Sequence, residues 1–192
     1  DYLTFTNNSD LNVGTSDFCY EFWVYPNDYS AGNNQNLFSN GSSGIECSVK
    51  TDASGLVIRQ GSDGVSSSGQ LTTNSLPTEG QWTHVAITKS SGNMRIFFNG
   101  SEVASASNST NYNGDGLYIG VYNNHWRGKI SNFRLVKGSA VYTSSFRPPT
   151  EPLTSITNTK LLCCNNSSVT GSTVTPGTIA SSGGPTASTD SP

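Results

Sequence analysis

An all-β sandwich of two antiparallel sheets is the fold class this sequence predicts. Three observations carry it. The stretch from Gly80 to Gly100, GQWTHVAITKSSGNMRIFFNG, reads as two strands joined by a short Ser/Gly/Asn turn. Short runs of alternating apolar and polar residues recur along the chain, punctuated by Gly, Asn and Ser clusters. No long amphipathic helical pattern exists, and charged residues are only 12% of 192.

The central run supplies the template. Alternation puts Val85 and Ile87 on one face of Gln81–Lys89, and Met94, Ile96 and Phe98 on one face of Met94–Phe98, with Arg95 and Phe97 opposite. Ser90-Ser91-Gly92-Asn93 offers the small, left-handed-tolerant residues of a tight reversal. Asn99-Gly100 makes a second turn, after which Ser101–Ala106 returns as a third strand. Trp82 is expected in the core, where truncation to alanine would cost about 3–5 kcal/mol.

The other elements follow in order. Tyr2–Thr6 is a first strand. Asp17–Pro26 alternates Phe18, Tyr20, Phe22 and Val24 with Cys19, Glu21, Trp23 and Tyr25, and Pro26 ends it. Leu37–Ser39, Ile45–Val49, Leu56–Arg59 and Leu117–Val121 read as short strands. Gly128–Leu135 is a late strand whose Ile130-to-Phe133 spacing breaks alternation, which predicts a bulge. Ala140–Pro149 reads as a crossing segment and Leu161–Cys164 as a buried strand. Beyond Asn165, Val169, Val174 and Ile179 suggest short strands, with Pro185–Thr189 as a closing edge strand. The chain shows no internal repeat and reads as a single domain, 1–192.

Composition excludes several functions. Net charge is −3 and the ten Lys and Arg are dispersed, so neither nucleic acid nor an anionic membrane is an expected partner. No apolar run reaches about 18 residues, so no helical span is expected. The chain begins at Asp1 with no visible signal peptide, which leaves export open. Four cysteines (Cys19, Cys47, Cys163, Cys164) are too few for a disulfide scaffold. They are read as free thiols, with a bridge from Cys19 or Cys47 to the adjacent pair as the minority alternative. On a strand, Cys163 and Cys164 would point to opposite faces. Two histidines and no CxxC argue against zinc.

The Trp-x-His-Val-Ala run and its closing Asn-Gly resemble the laminin-G and pentraxin-type branch of the concanavalin A-like jelly-roll sandwiches. A narrower resemblance rests on DYLTFTNNSDL, DFCYEFWVYP, GNMRIFFNG, GKISNFRLVKGSAVYTSSFRPPTEPLTSITNTKLL and GGPTASTDSP. These are similar to laminin-G-like domains of marine bacteriophage structural proteins, most specifically over Ile130–Leu162. The resemblance implies a virion surface component, such as a capsid decoration, tail fibre or appendage. Its implied partners are other virion proteins and host-surface glycans, in an oligomeric or multi-copy assembly. Asp1 and Pro192 then read as limits of the ordered part of a longer polypeptide. The alternative is a secreted or cell-surface carbohydrate-binding adhesion module.

No enzyme is expected. Glycoside hydrolases built on the same sandwich carry a Glu-x-Asp-x-x-Glu strand, and retaining hydrolysis needs carboxylates about 5–5.5 Å apart. Here Glu21, Glu46, Glu79, Glu102 and Glu151 are isolated. Asp17 shares a face with Glu21 by spacing but reads as a turn residue. His84 reads as a satisfied strand histidine, His125 as a loop residue, and no Gly-x-Ser-x-Gly elbow occurs.

Sugar recognition needs an aromatic face and planar polar partners. Tyr122, Asn123, Asn124, His125 and Trp126 offer that mixture in one loop, with Trp23 and Tyr25 as a second patch. The competing reading, favoured by the family resemblance, places Trp126 in the core at the entry to the Ile130 strand. No cofactor is expected. Calcium stays open, because the resemblance implies loop oxygens, with Asp28, Asp52, Asp63 and Asp115 as candidates.

Overall fold

The computed structural model describes residues 1–30, 34–61, 69–114 and 116–192. Strands β1 to β15 are Tyr2–Phe5, Phe18–Pro26, Gln35–Ser39, Ile45–Val49, Leu56–Gln60, Leu71–Thr72, Thr83–Ser90, Asn93–Phe98, Ser101–Ser107, Leu117–Ile119, Asn124–His125, Gly128–Lys137, Thr159–Cys163, Ser172–Val174 and Ile179–Ser182. No α-helix occurs among the described residues. One 3-10 turn, Ser9–Leu11, is capped by the Asn8 side chain, which accepts the Asp10 N–H.

Two sheets form a sandwich. The first runs β15-β1-β10-β3-β4-β5-β6, with β11 lying parallel along β3. The second runs β14-β13-β12-β2-β7-β8-β9. Pairing along both paths is antiparallel. Alternation in β2 turns Phe18, Tyr20, Phe22 and Val24 into the common core. Tyr20 of the second sheet stacks on Phe38 of the first at 4.7 Å, and Phe22 stacks on Phe133 at 5.2 Å. Such ring pairs add about 0.5–1.5 kcal/mol each beyond their buried area.

The meander follows the expected course. Ser91 and Gly92 have φ of 48° and 75°, and Asn99 and Gly100 have 47° and 77°. Two successive positive φ values define type I′ turns, whose twist matches that of the flanking strands. The predicted bulge is present: the β12–β2 register shifts between Ser131 and Arg134, and Asn132 takes φ of 53°.

The crossing segment, residues 138–158, forms no strand and covers the outer face of the second sheet. Phe146 packs on Phe97 at 5.4 Å, and its N–H donates to Gly100 O at 2.9 Å. Contact is so close that a Cβ on Gly100 would lie 1.8 Å from Phe146 O. Phe97, on the polar-looking face of its strand, is therefore fully buried.

Three expectations are corrected. Trp82 is only half-buried and stands before β7, outside the core cluster; its partner is Tyr25 on the outer face. Pro185–Thr189 forms no strand, because β15 already pairs with β1 as the edge of the first sheet. Cys163 and Cys164 do not diverge. Cys164 takes φ of 57°, which breaks the alternation and leaves the two sulfurs 3.8 Å apart. The two-residue strands β6 and β11 have no counterpart in the sequence reading, being too short for a periodic signal.

Candidate functional site: a groove at one end of the sandwich

A groove of about 550 Å³ opens where the two sheets part, near Pro26 and Gly128. Asp1, Tyr2, Leu3, Ile119 and Gly120 line it from the first sheet's side. Trp82 and the run Gly128–Ser131 line it from the second, and Trp126 stands between. Asn166, Ser168, Val169 and Cys164 close one flank, and Pro185–Ser188 with Asp190 lie across it.

The sequence builds this site through the end of the 120s loop. Gln35 anchors it by accepting the Arg127 N–H at 3.0 Å while donating to Asp28 O at 2.8 Å. Asn36 accepts the N–H groups of Asn123 and Asn124 at 3.1 and 3.2 Å. Trp126 N donates to Gly120 O at 2.8 Å. Gly128 lets the ring approach: a Cβ there would sit 2.9 Å from Trp126 Nε1 and 2.2 Å from Tyr25 O. Trp126 is 8% exposed, and its indole N–H has no partner. A buried donor without an acceptor carries an unrecovered desolvation cost. The Trp82 indole N–H is also shielded and makes no hydrogen bond, although it lies close enough to Asp190 to favour the carboxylate.

Among the described residues, Lys129 is the one Lys or Arg lining the groove. Its ammonium sits 4.7 Å from the Tyr25 ring centroid and pairs with Asp190. The hydrogen bond from Lys129, with its positive charge, holds the Asp190 carboxyl below its ordinary range. Aromatic surface, polar side chains and a cation thus line one concave surface, a mixture suited to a polyhydroxylated ring.

The predicted site residues do not form one cluster. Trp126 lies in the core cluster and lines the groove, which joins the two readings of that residue. Tyr122 packs on Tyr118 at 5.7 Å, on the outer face of the first sheet. Asn123 and Asn124 anchor the loop to Asn36. His125 is exposed, with Nδ1 3.1 Å from the Asp1 amine and its ring near Tyr2. Trp23 is on the outer face of the second sheet, 5.2 Å from His84.

Two buried charge networks went unseen in the sequence. Glu21 is fully buried and accepts Arg134 Nε at 2.9 Å and the Tyr142 hydroxyl at 2.9 Å, with His84 Nε2 at 3.3 Å. Burial alone would raise its pKa. The His84 hydrogen bond and the charge and hydrogen bonds of Arg134 outweigh burial and hold Glu21 below the ordinary value. In the first sheet, Glu46 Oε1 accepts from Asn36 at 2.9 Å, Ser48 at 3.0 Å and Arg59 at 2.9 Å. Each network partners its carboxylate with a strand neighbour across the sheet, Glu21 with Arg134 and Glu46 with Arg59. That signal becomes readable only once the register is known.

The calcium candidates are placed in part. Asp28 Oδ1 accepts the Ser30 N–H at 2.7 Å, and Asp52 Oδ1 accepts the Ser54 N–H at 3.0 Å; both carboxylates cap their own turns. Asp63 and Asp115 lie outside the described residues. No cluster of three or more His, Cys, Asp or Glu suited to a metal forms among the described residues.

The family model of the concanavalin A-like lectin/glucanases superfamily, of laminin G type, matches residues 1–141. The chain belongs to this superfamily. No curated protein matches the sequence. Among solved structures, this superfamily member is similar to a protein from Bacteroides ovatus assigned as carbohydrate-binding, with 18% identity and a TM-score of 0.58, covering 73% of this chain and 42% of that one. The heptameric SAP-like pentraxin of Limulus polyphemus gives 19% and 0.53, over 73% of this chain and 71% of that one. Domain 4 of the Geobacillus stearothermophilus arabinanase AbnA, solved with arabinotriose, gives 18% and 0.53, over 72% and 67%. Trypanosoma rangeli sialidase, an enzyme, is matched at 16% and 0.50 over 21% of its length. At these identities the likeness is one of fold. It agrees with the two-sheet jelly roll seen here.

Proposed function

We propose that this domain is a non-catalytic carbohydrate-binding module that works at an extracellular or particle surface. The observation that carries the reading is the groove itself, a concavity lined by Trp82 and Trp126 together with Lys129, Asn166, Ser168 and Asp190. The rings of Trp82 and Trp126 supply apolar surface, and the polar side chains of the lining supply partners for sugar hydroxyls. The superfamily and the carbohydrate-binding neighbours support this class of function. The non-catalytic reading rests on the burial of both central glutamates. Glu21 and Glu46 are fully buried beneath their arginine partners, away from the groove.

A glycan array followed by calorimetry tests the reading. Specific hits should weaken at least about tenfold in Trp126→Phe, which trims the ring lining the groove, and in Trp82→Ala. Hits unaffected by both variants, or no hits at all, would overturn it.

The site of display is a second question. The resemblance of Ile130–Leu162 to marine phage structural proteins favours a virion surface, with coat or fibre proteins as partners. Proteomics of purified particles decides it: peptides abundant in bacterial surface fractions but absent from virions would assign the module to a cell surface instead.

A further inference from the structure

Building on the saccharide reading, we propose that the C-terminal strap is an internal pseudo-ligand: Asp190 occupies the subsite of an anionic group, and the groove's ligand is an acidic saccharide. The strap leaves β15 at the free edge of the first sheet. It turns through Gly183 and Gly184, at φ of 80° and 82°, and reaches Lys129 of β12 in the second sheet. It therefore bridges the mouth between the sheets, directly over the groove.

Three features mark the strap as displaceable. Residues 186–190 are all exposed and form no ladder with either sheet. The ion pair that ends the strap is itself exposed, at 39% for Lys129 and 47% for Asp190. Such pairs hold weakly. Two successive glycines at positive φ form the hinge, where backbone rotation meets little steric resistance.

The subsite is specific in chemistry. Lys129 is pinned over the Tyr25 ring, so the ammonium is oriented before any ligand arrives. The carboxylate it holds lines the same groove as Trp82. A uronate carboxylate entering the groove would meet the same ammonium and the same indole, with its pyranose ring toward Trp126. Each ligand bound must first release the strap, so apparent affinity is reduced by the fraction of molecules held closed.

The test uses the full chain and tetrasaccharides of galacturonate, mannuronate and glucuronate, each compared with its neutral methyl ester. At least one acid should bind about tenfold or more tighter than its ester, the worth of a charge-assisted hydrogen bond. Lys129→Ala should abolish that preference. Asp190→Ala should tighten binding of the acid by about two- to fivefold, the scale of an exposed ion pair. The Trp82 indole N–H resonance should shift in Asp190→Ala before any sugar is added. Acid and ester binding alike would leave a saccharide site and overturn the anionic subsite. Weaker binding in Asp190→Ala, with the Trp82 resonance shifted, would make the strap part of the binding surface and overturn the pseudo-ligand. No uronate binding to either form overturns the proposal, while hits with neutral glycans on the array would leave the saccharide reading standing.

Discussion

Arg134→Ala is the perturbation whose cost the structure sets best. Arg134 is 5% exposed, donates twice to Glu21, and reaches Thr154 O at 2.6 Å in the crossing segment. Its removal leaves a fully buried carboxylate facing only His84 and the Tyr142 hydroxyl. Breaking a buried pair from one side costs about 3–5 kcal/mol. With a urea m-value of about 2 kcal/mol/M, the midpoint should fall by roughly 2 M. Glu21→Gln combined with Arg134→Met removes both charges and should recover much of that loss. The linkage has a definite sign. Glu21 is held below its ordinary value, so its contribution is complete above the unfolded carboxyl pKa of about 4.3 and is lost as pH falls through the lower folded value. The stability gap between wild type and Glu21→Gln should therefore shrink as pH falls below about 4. Urea titrations at pH 7 and pH 3 measure both effects. A loss under about 1 kcal/mol for Arg134→Ala at pH 7 would refute the view that this buried pair pins the crossing segment.

Two further outcomes are expected. Gly100→Ala places a Cβ 1.8 Å from Phe146 O and forces a side chain onto φ of 77°; thermal or urea unfolding should register a loss of at least about 1–3 kcal/mol. Native thiol titration should label Cys164 alone, because Cys19, Cys47 and Cys163 are fully buried and burial pushes all three thiols well up. Four thiols should react in denaturant, and rapid native labelling of more than one would show that the core opens.

The β-sandwich and much of its strand inventory were legible in the local residue pattern. Alternation in Phe18–Val24 and Val85–Phe98 is a local property, since a side chain's face is set by its position in its own strand. The type I′ turns at Ser91-Gly92 and Asn99-Gly100 are equally local, because αL-tolerant residues announce them. The break at Ile130–Phe133 announced the bulge for the same reason. What the sequence could not show is anything that depends on a partner far along the chain. Glu21 and Arg134 are 113 positions apart, and only the β2–β12 register makes them neighbours. Trp82 looked like core because aromatic residues in strands usually are. It instead closes the rim of a groove whose other wall comes from Trp126 and whose cover comes from Pro185–Asp190. Cys164 looked opposed to Cys163 until a single positive φ turned it back. A groove is defined by which surfaces fail to meet. That depends on the packing of both sheets and the path of the tail, and a one-dimensional pattern carries neither.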